Sequence, residues 1–296
     1  MNAKTSALPA AALLALALTG CSAAPSTTAS LTSPEGHTSP KSLPGGHVHG
    51  LAATADGSTL LIGTHHGVFD MSGASAAGTA ALQPLGAPDD FMGFVGDPAG
   101  TLWASGHPGP GSAKKNPLGL MRSVDGGRTW TTVSNEGASD FHALTVTKSG
   151  LVGFDGTLKR TADGTSWSNS AASIHPAALA GHAATDTVLA TTEEGLFASP
   201  DGGATWGAVP NAPLLQFAAF ADARRAVGVA PDGAVYSSGD AGTTWAPTGR
   251  VESAVEAITA VASGGPVRMW AATDKGLLES RDGGATFSAY AAGSAS

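Results

Sequence analysis

The chain has 296 residues and a net charge of −8, with 13% charged residues and 41 glycines. This acidic balance argues against a nucleic-acid partner, which needs concentrated Lys and Arg. The single cysteine, Cys21, excludes disulfides within the chain and thiolate metal sites in the residues that follow it. Many glycines with few charges are typical of short strands joined by tight turns.

Residues 1–21 have the pattern of a lipoprotein signal peptide. Lys4 supplies the positive start, Ala10 to Leu18 the apolar run, and Leu18-Thr19-Gly20-Cys21 the cleavage site. The apolar run is too short to remain as a membrane-spanning helix. The Leu-Thr-Gly-Cys ending resembles the bacterial lipobox, which implies cleavage before Cys21 and a lipid on its thiol. The alternative is an ordinary secretory signal with an incidental cysteine. We expect an extracytoplasmic protein that is lipid-anchored to the cell membrane.

The next segment, residues 22–44, is rich in Ser, Thr, Pro and Ala. Such a composition buries almost no apolar surface and predicts a disordered linker. Residues 45–290 are long enough for one large β domain, and residues 291–296 are expected to be a C-terminal tail. The sequence contains no P-loop, no dinucleotide-binding glycine pattern and no convincing helix after the signal peptide.

One phrase, Ser-x-Asp-x-Gly-x-Thr-Trp, recurs through this domain, and its last copy ends in Phe instead of Trp. The copies, one of them a residue short, contain the aspartates Asp125, Asp163, Asp201, Asp240 and Asp282, so that the period is 38 to 42 residues. A fixed period near 40 residues with short apolar runs between turns predicts stacked sheets, one blade for each repeat. One further unit precedes the first copy and has a decayed phrase at Asp70 to Gly73. Six units predict six blades, because a seventh would be unusually short.

The repeated phrase resembles the Asp box, or BNR repeat, of sialidase-like β-propellers. Some lipoprotein relatives of this type carry a glycosylhydrolase name. The resemblance implies an all-β, six-bladed propeller in which the box aspartates have a structural role. Sialidases bind a carboxylated sugar with three arginines and attack with a tyrosine that a glutamate activates. Here Tyr236 lies in a strand, Tyr290 lies near the C-terminus, and the arginines lie in or beside the boxes. We therefore expect no sialidase activity and assign no catalytic residue.

The first strands of the six units place chemically useful side chains at equivalent positions. The third position is, in chain order, His49, Met92, His142, Ala177, Gln216 and Glu256. The first position includes His47, Asp90 and Asp140. In a propeller these strands surround the central channel, so we expect their starts to lie at one mouth of it. The hairpins between second and third strands reach the same mouth and add His65, His66 and His107.

Imidazole, thioether and carboxylate groups from units one to three together predict a transition-metal site. Copper is favoured because Met92 is a soft ligand, and three imidazoles with an open position would equally suit zinc. The candidate ligands are His47, His49, His65, His66, Met92, His107 and His142, with Asp90 and Asp140 beside them. The alternative for these residues is a polar channel lining that holds water.

Two other functions remain open at this point. Carboxyl groups drawn from Asp90, Asp140 and Glu256 could flank the channel as in a glycoside hydrolase, although few aromatic residues are present for sugar stacking. Asp-box propellers also occur in assembly factors and sorting receptors, and loops on a propeller face bind protein partners. The most elaborate loop here is the insertion from Gly106 to Leu120. A scaffold of this kind would not need clustered histidines, so we rank metal binding first.

Overall fold

A computed structural model describes residues 43–74 and 82–291 of the chain. The expected signal peptide with Cys21, nearly all of the expected linker and most of the C-terminal tail lie outside these residues. Between residues 43 and 74 and between 82 and 291 the structure contains strands and turns but no α-helix. This part of the chain accordingly has no helix that could cross a membrane.

The strands form six antiparallel sheets in which chain order runs from the channel outwards. The inner strands are β1 Val48–Ala53, β4 Asp90–Gly96, β8 Ala143–Thr147, β12 Ala178–Ala180, β16 Phe217–Phe220 and β20 Val255–Val261. The second strands are β2 Leu60–Thr64, β5 Leu102–His107, β9 Gly150–Phe154, β13 Val188–Thr192, β17 Ala226–Val229 and β21 Arg268–Thr273. The third strands are β3 Gly67–Asp70, β6 Leu120–Ser123, β10 Leu158–Thr161, β14 Gly195–Ser199, β18 Ala234–Ser238 and β22 Gly276–Ser280. The outer strands are β7 Thr131–Ser134, β11 Trp167–Asn169, β15 Gly207–Ala208, β19 Ala246–Arg250 and β23 Ser288–Ala289.

These sheets are the blades of a propeller, and the prediction of six blades is confirmed. The inner strands contact one another in the ring order β1, β4, β8, β12, β16, β20 and back to β1. Within the described residues blade one has three strands, and Leu85 adds a single backbone bridge to Val68. The second strands β2, β13 and β17 are buried along their whole length, because each has a strand on both edges and a neighbouring blade against its faces.

Side chains close the ring between blades one and six, since the described residues include no strand shared by these blades. The backbone N–H of Val48 donates to Oε2 of Glu256 at 2.9 Å. The guanidinium of Arg268 donates to the carbonyl of Gly57 at 3.0 Å. A buried apolar cluster joins Leu51 and its neighbours in blade one to Trp270 in blade six.

The repeated phrase forms a hydrogen-bonded turn between the third and outer strands. In blade five the hydroxyl of Ser238 donates to Asp240 at 2.8 Å and accepts from the N–H of Gly242 at 2.9 Å. The Asp240 carboxylate also accepts from the N–H and the hydroxyl of Thr244 at 2.8 and 2.6 Å. Gly242 has a φ of +87°, and a Cβ there would lie 2.6 Å from Leu189 of blade four. The position therefore requires glycine both for its backbone conformation and for its contact with the next blade.

Candidate metal centre

A β-bulge at the start of each inner strand separates one side chain from the packing between blades. The pairing of blade one shifts between Val48 and Gly50, which leaves His49 as the extra residue. The same shift makes Met92 the extra residue of blade two and Glu256 that of blade six. A bulge turns the extra side chain away from the regular alternation of the strand.

The other three blades have the same irregularity. The N–H groups of the bulge residues donate at 3.0, 2.8 and 2.8 Å to carbonyls of the second strand, in the pairs His142–Phe154, Ala177–Thr191 and Gln216–Val229. Each of these second-strand residues also pairs with the next residue of the inner strand, so two inner-strand residues oppose one. All six bulge residues are exposed or partly exposed, whereas the residue before each of them is buried. They are the residues that alignment of the first strands places at the third position.

Two glycines allow the inner strands of blades one to three to approach closely. A Cβ on Gly50 would lie 2.4 Å from the carbonyl oxygen of Phe94. A Cβ on Gly93 would lie 2.2 Å from the carbonyl oxygen of Phe141. Both oxygens belong to the backbone of the next blade and cannot move aside as a side chain would. The glycines that follow the first two bulge residues therefore set how near the side chains of adjacent blades can come.

At the channel mouth, where the inner strands begin, three metal-ligand atoms come together from His49, His65 and Asp90. His49 Nε2 lies 3.3 Å from His65 Nδ1, and His65 Nδ1 lies 2.9 Å from Asp90 Oδ1. One ligand atom from each residue lies within 4.8 Å of the other two, and no other group of His, Cys, Asp and Glu in the described chain has this spacing. Two ligands held tetrahedrally at about 2.0–2.1 Å from zinc are about 3.3–3.4 Å apart. The His49–His65 distance therefore suits one shared ion.

The environment of His49 keeps its imidazole in the form that binds metal. Burial, followed by the charges of His65 and His47 when these are protonated, lowers the pKa of His49 to about 4. The ring centroids of His65 and His47 lie 4.4 and 4.9 Å from that of His49. His49 is consequently neutral at pH 7, and a neutral imidazole offers its lone pair to an ion without first losing a proton.

His47 lies beside this triad but is held at the junction of blades one and six. Its Nδ1 lies 3.4 Å from Oε1 of Glu256. Its ring centroid lies 6.1 Å from that of His65, so it is a neighbouring imidazole and not one of the three closely spaced ligands. The alignment of first strands found Glu256, but it did not reveal this pairing, which exists only because the ring is closed.

Asp140 forms a second polar group, shared by two of the candidate histidines. Its Oδ2 lies 2.8 Å from His142 Nε2 and 3.2 Å from His107 Nε2. His107 Nδ1 in turn lies 2.7 Å from Asn116 Oδ1, a partner that the sequence did not indicate. Asp140 Oδ1 is buried and has no hydrogen-bond partner among the described residues. The ligand atoms of Asp140, His142 and His107 do not all lie within 4.8 Å of one another, whereas those of the triad do.

His66 and Met92, the two remaining candidates, are not members of the triad. The ring of His66 is directed at the N-terminal side of the domain, where Nδ1 lies 2.9 Å from the carbonyl oxygen of Gly45. His65 and His66 are adjacent in one hairpin turn, yet only His65 joins the triad. Met92, as the bulge residue of blade two, is partly exposed and follows Asp90 by two positions.

A buried ion pair fixes the insertion of blade two beside these residues. Asp89 is 1% exposed, and its Oδ2 lies 2.5 Å from Lys114 Nζ. Its Oδ1 accepts the N–H of Gly109 at 2.9 Å. No pattern in the sequence indicated this pair. The only signal was a second aspartate immediately before Asp90.

No protein-family model matches the sequence, and no curated protein is detectably similar to it. Among solved structures, YCF48 from Cyanidioschyzon merolae is 14% identical, with 81% of this chain and 97% of that chain covered and a TM-score of 0.49. YCF48 bound to D1 peptide is 18% identical over 67% of each chain, with a TM-score of 0.42. An ancestral GH74 enzyme is 14% identical over 81% of this chain, with a TM-score of 0.49, and this chain spans 37% of its length. These similarities are low, and the assignment of the fold rests on the topology of the six sheets.

Proposed function

We propose that the protein binds one transition-metal ion at the channel mouth through His49, His65 and Asp90. The observation behind this proposal is the 3.3 Å between the nitrogens of His49 and His65, which suits two ligands of one ion, with a carboxylate oxygen of Asp90 2.9 Å from His65 and within 4.8 Å of His49. Two neutral imidazoles and one carboxylate form a borderline-soft ligand set that suits zinc or copper better than calcium or magnesium. The low pKa of His49 supports binding at neutral pH.

Copper is the ion we favour, and zinc is the other choice. Met92 is the bulge residue of the adjacent blade and is the one soft donor among the candidates. Thioether ligands select copper(I), while a tetrahedral set of nitrogen and oxygen ligands is equally typical of zinc. A Met92→Leu variant keeps a similar volume without the sulfur. It should weaken copper(I) binding and leave zinc binding unchanged if the thioether takes part.

Metal titration of the full chain tests this proposal. The chain is first stripped with a chelator, and zinc and copper binding are then measured by calorimetry, with bound metal counted by elemental analysis. We expect one tightly bound ion in the wild type and at least a tenfold loss of affinity in His49→Ala and Asp90→Asn. His66→Ala is the matched control, because its ring is adjacent in sequence to His65 but bonded to Gly45. Absence of stoichiometric metal would overturn the proposal and place the protein-binding scaffold first.

We also propose that the protein is a lipoprotein tethered outside the cytoplasm, with residues 22–44 as the linker. The support is the Leu-Thr-Gly-Cys sequence that ends at Cys21. Cys21→Ser should abolish acylation and move the protein from the membrane fraction to the soluble one. A Ser variant that stays with the membrane as fully as the wild type would contradict this assignment.

A further inference from the structure

The channel behind the proposed metal site is a second feature of interest. It forms a cavity of about 430 Å³, within the range of small-molecule sites. His49 and His142 line one end, and His182 and Asp222 line the other. His49 therefore belongs both to the triad and to the wall of the cavity, so an ion bound to it would lie at the cavity's entrance.

The wall between the two ends is apolar. Apart from these end residues, none of the described residues that line the cavity carries a charge, and the only polar side chains along the inner strands are Thr145 and Thr259. Leu179, Phe217 and Ile258 in blades four to six are partly exposed there. Alanine and glycine make up most of the remaining wall, which leaves the space open. The polar residues of blades one to three thus adjoin an apolar chamber.

The charge and coordination of the metal centre define what this chamber would hold. Zinc or copper(II), held by the two neutral imidazoles and the carboxylate without Met92, retains a net charge of +1. Three protein ligands also leave a tetrahedral ion with one open position, as in catalytic zinc sites. A monoanionic oxygen donor would satisfy both the charge and the open position. An apolar group attached to such a donor would gain by leaving water for the channel.

We propose that the metal centre and channel together bind a small amphiphile, an anionic oxygen-donor head with an unbranched apolar chain. The head occupies the open position on the ion, and the chain extends along the inner strands of blades four to six. This inference rests on the proposed metal binding, because the ion supplies the positive charge that holds the head.

A series of ligands with alkyl chains of increasing length tests the inference on the full-length protein loaded with zinc, or with copper(II) if zinc does not bind. Acetohydroxamate, butanohydroxamate and octanohydroxamate share one monoanionic oxygen-donor head, which fills the open position and can add its second oxygen as a fifth ligand, and they differ only in the alkyl chain. Each fully buried methylene corresponds to on the order of fourfold in affinity. We expect octanohydroxamate to bind at least tenfold more tightly than acetohydroxamate by calorimetry.

Two variants test the contribution of the channel independently of that of the metal. Ala219 lines the channel and Ala246 is exposed on the outer strand of the same blade. Ala219→Phe should remove the chain-length advantage while preserving binding of metal and acetohydroxamate, and Ala246→Phe should preserve all three. If Ala219→Phe does not fold, Ala177→Leu places the obstruction at the exposed mouth instead.

The outcomes distinguish the two proposals. Metal binding with equal affinity for all three hydroxamates would overturn the amphiphile inference and leave the metal centre standing. A chain-length advantage that survives both channel variants would also overturn it. Failure to bind any metal would refute the proposed function and this inference with it.

Discussion

Replacement of Gly50 by alanine tests whether close approach of blades one and two creates the metal centre. The added Cβ would lie 2.4 Å from the carbonyl oxygen of Phe94, whereas ordinary contacts begin near 3.4 Å. The two inner strands must therefore separate by about 1 Å. Overpacking of this kind costs about 1–3 kcal/mol of unfolding free energy. Metal–ligand distances tolerate only about 0.2 Å, so the same shift should also separate Asp90 of blade two from the histidines of blade one.

Two measurements on Gly50→Ala check these consequences. The melting temperature should fall by about 2–4 °C for each kcal/mol lost, as expected for a domain of this size. Zinc or copper affinity should fall by at least tenfold. Gly207→Ala is the matched control, since nothing lies within 4 Å of the position its Cβ would take. If Gly50→Ala melted and bound metal like Gly207→Ala, the inter-blade contact would not be what positions the triad.

Three further predictions concern the scaffold. Hydrogen bonds from threonine hydroxyls lower the pKa of Asp125, Asp240 and Asp282 to about 2. These pKa values lie below that of an unfolded aspartate, near 3.9, so the stability that the three carboxylates add is complete above pH ~4 and is lost as the pH falls towards 2. In an acid titration followed by circular dichroism, the variant with all three aspartates changed to Asn should show a weaker dependence of stability on pH than the wild type. Ser238→Ala leaves the buried N–H of Gly242 without its acceptor and should cost about 1–3 kcal/mol in urea unfolding, with Ser237→Ala as the control. Lys114→Met leaves the buried carboxylate of Asp89 without its cation and should cost about 3–5 kcal/mol, whereas exposed Lys115→Met should have little effect. Asp89→Leu combined with Lys114→Met should recover only part of the loss, because the N–H of Gly109 then lacks its acceptor.

The sequence predicted the fold because the repeated phrase is a local structure. Ser238, Asp240 and Thr244 bond to one another within seven residues, so the same letters give the same turn in every repeat. The period between turns then counts the blades. The equivalent positions of the inner strands could also be aligned from the sequence, because the bulge occurs at the same place in each blade.

The membership of the triad could not be predicted so fully. His65 and His66 occupy neighbouring positions of a turn, and only the backbone path decides which ring faces Asp90. The pairing of His47 with Glu256 joins residues more than 200 positions apart and depends on closure of the ring. Distances between blades depend on contacts such as that of Gly50 with Phe94, which no periodic pattern encodes.

Closure of the ring by side chains has a thermodynamic consequence for ligand binding. Blades one and six can separate without breaking any sheet, and such an opening would release Val48, which precedes His49 and is bonded to Glu256. An ion that requires His49 in place therefore favours the closed ring over the open one. At a free-metal concentration 100 times the dissociation constant, metal binding stabilises the closed ring relative to the open one by about 2.7 kcal/mol. Amide hydrogen exchange along β1 and β20 should then slow when metal is added, even though β20 contributes no ligand to the triad.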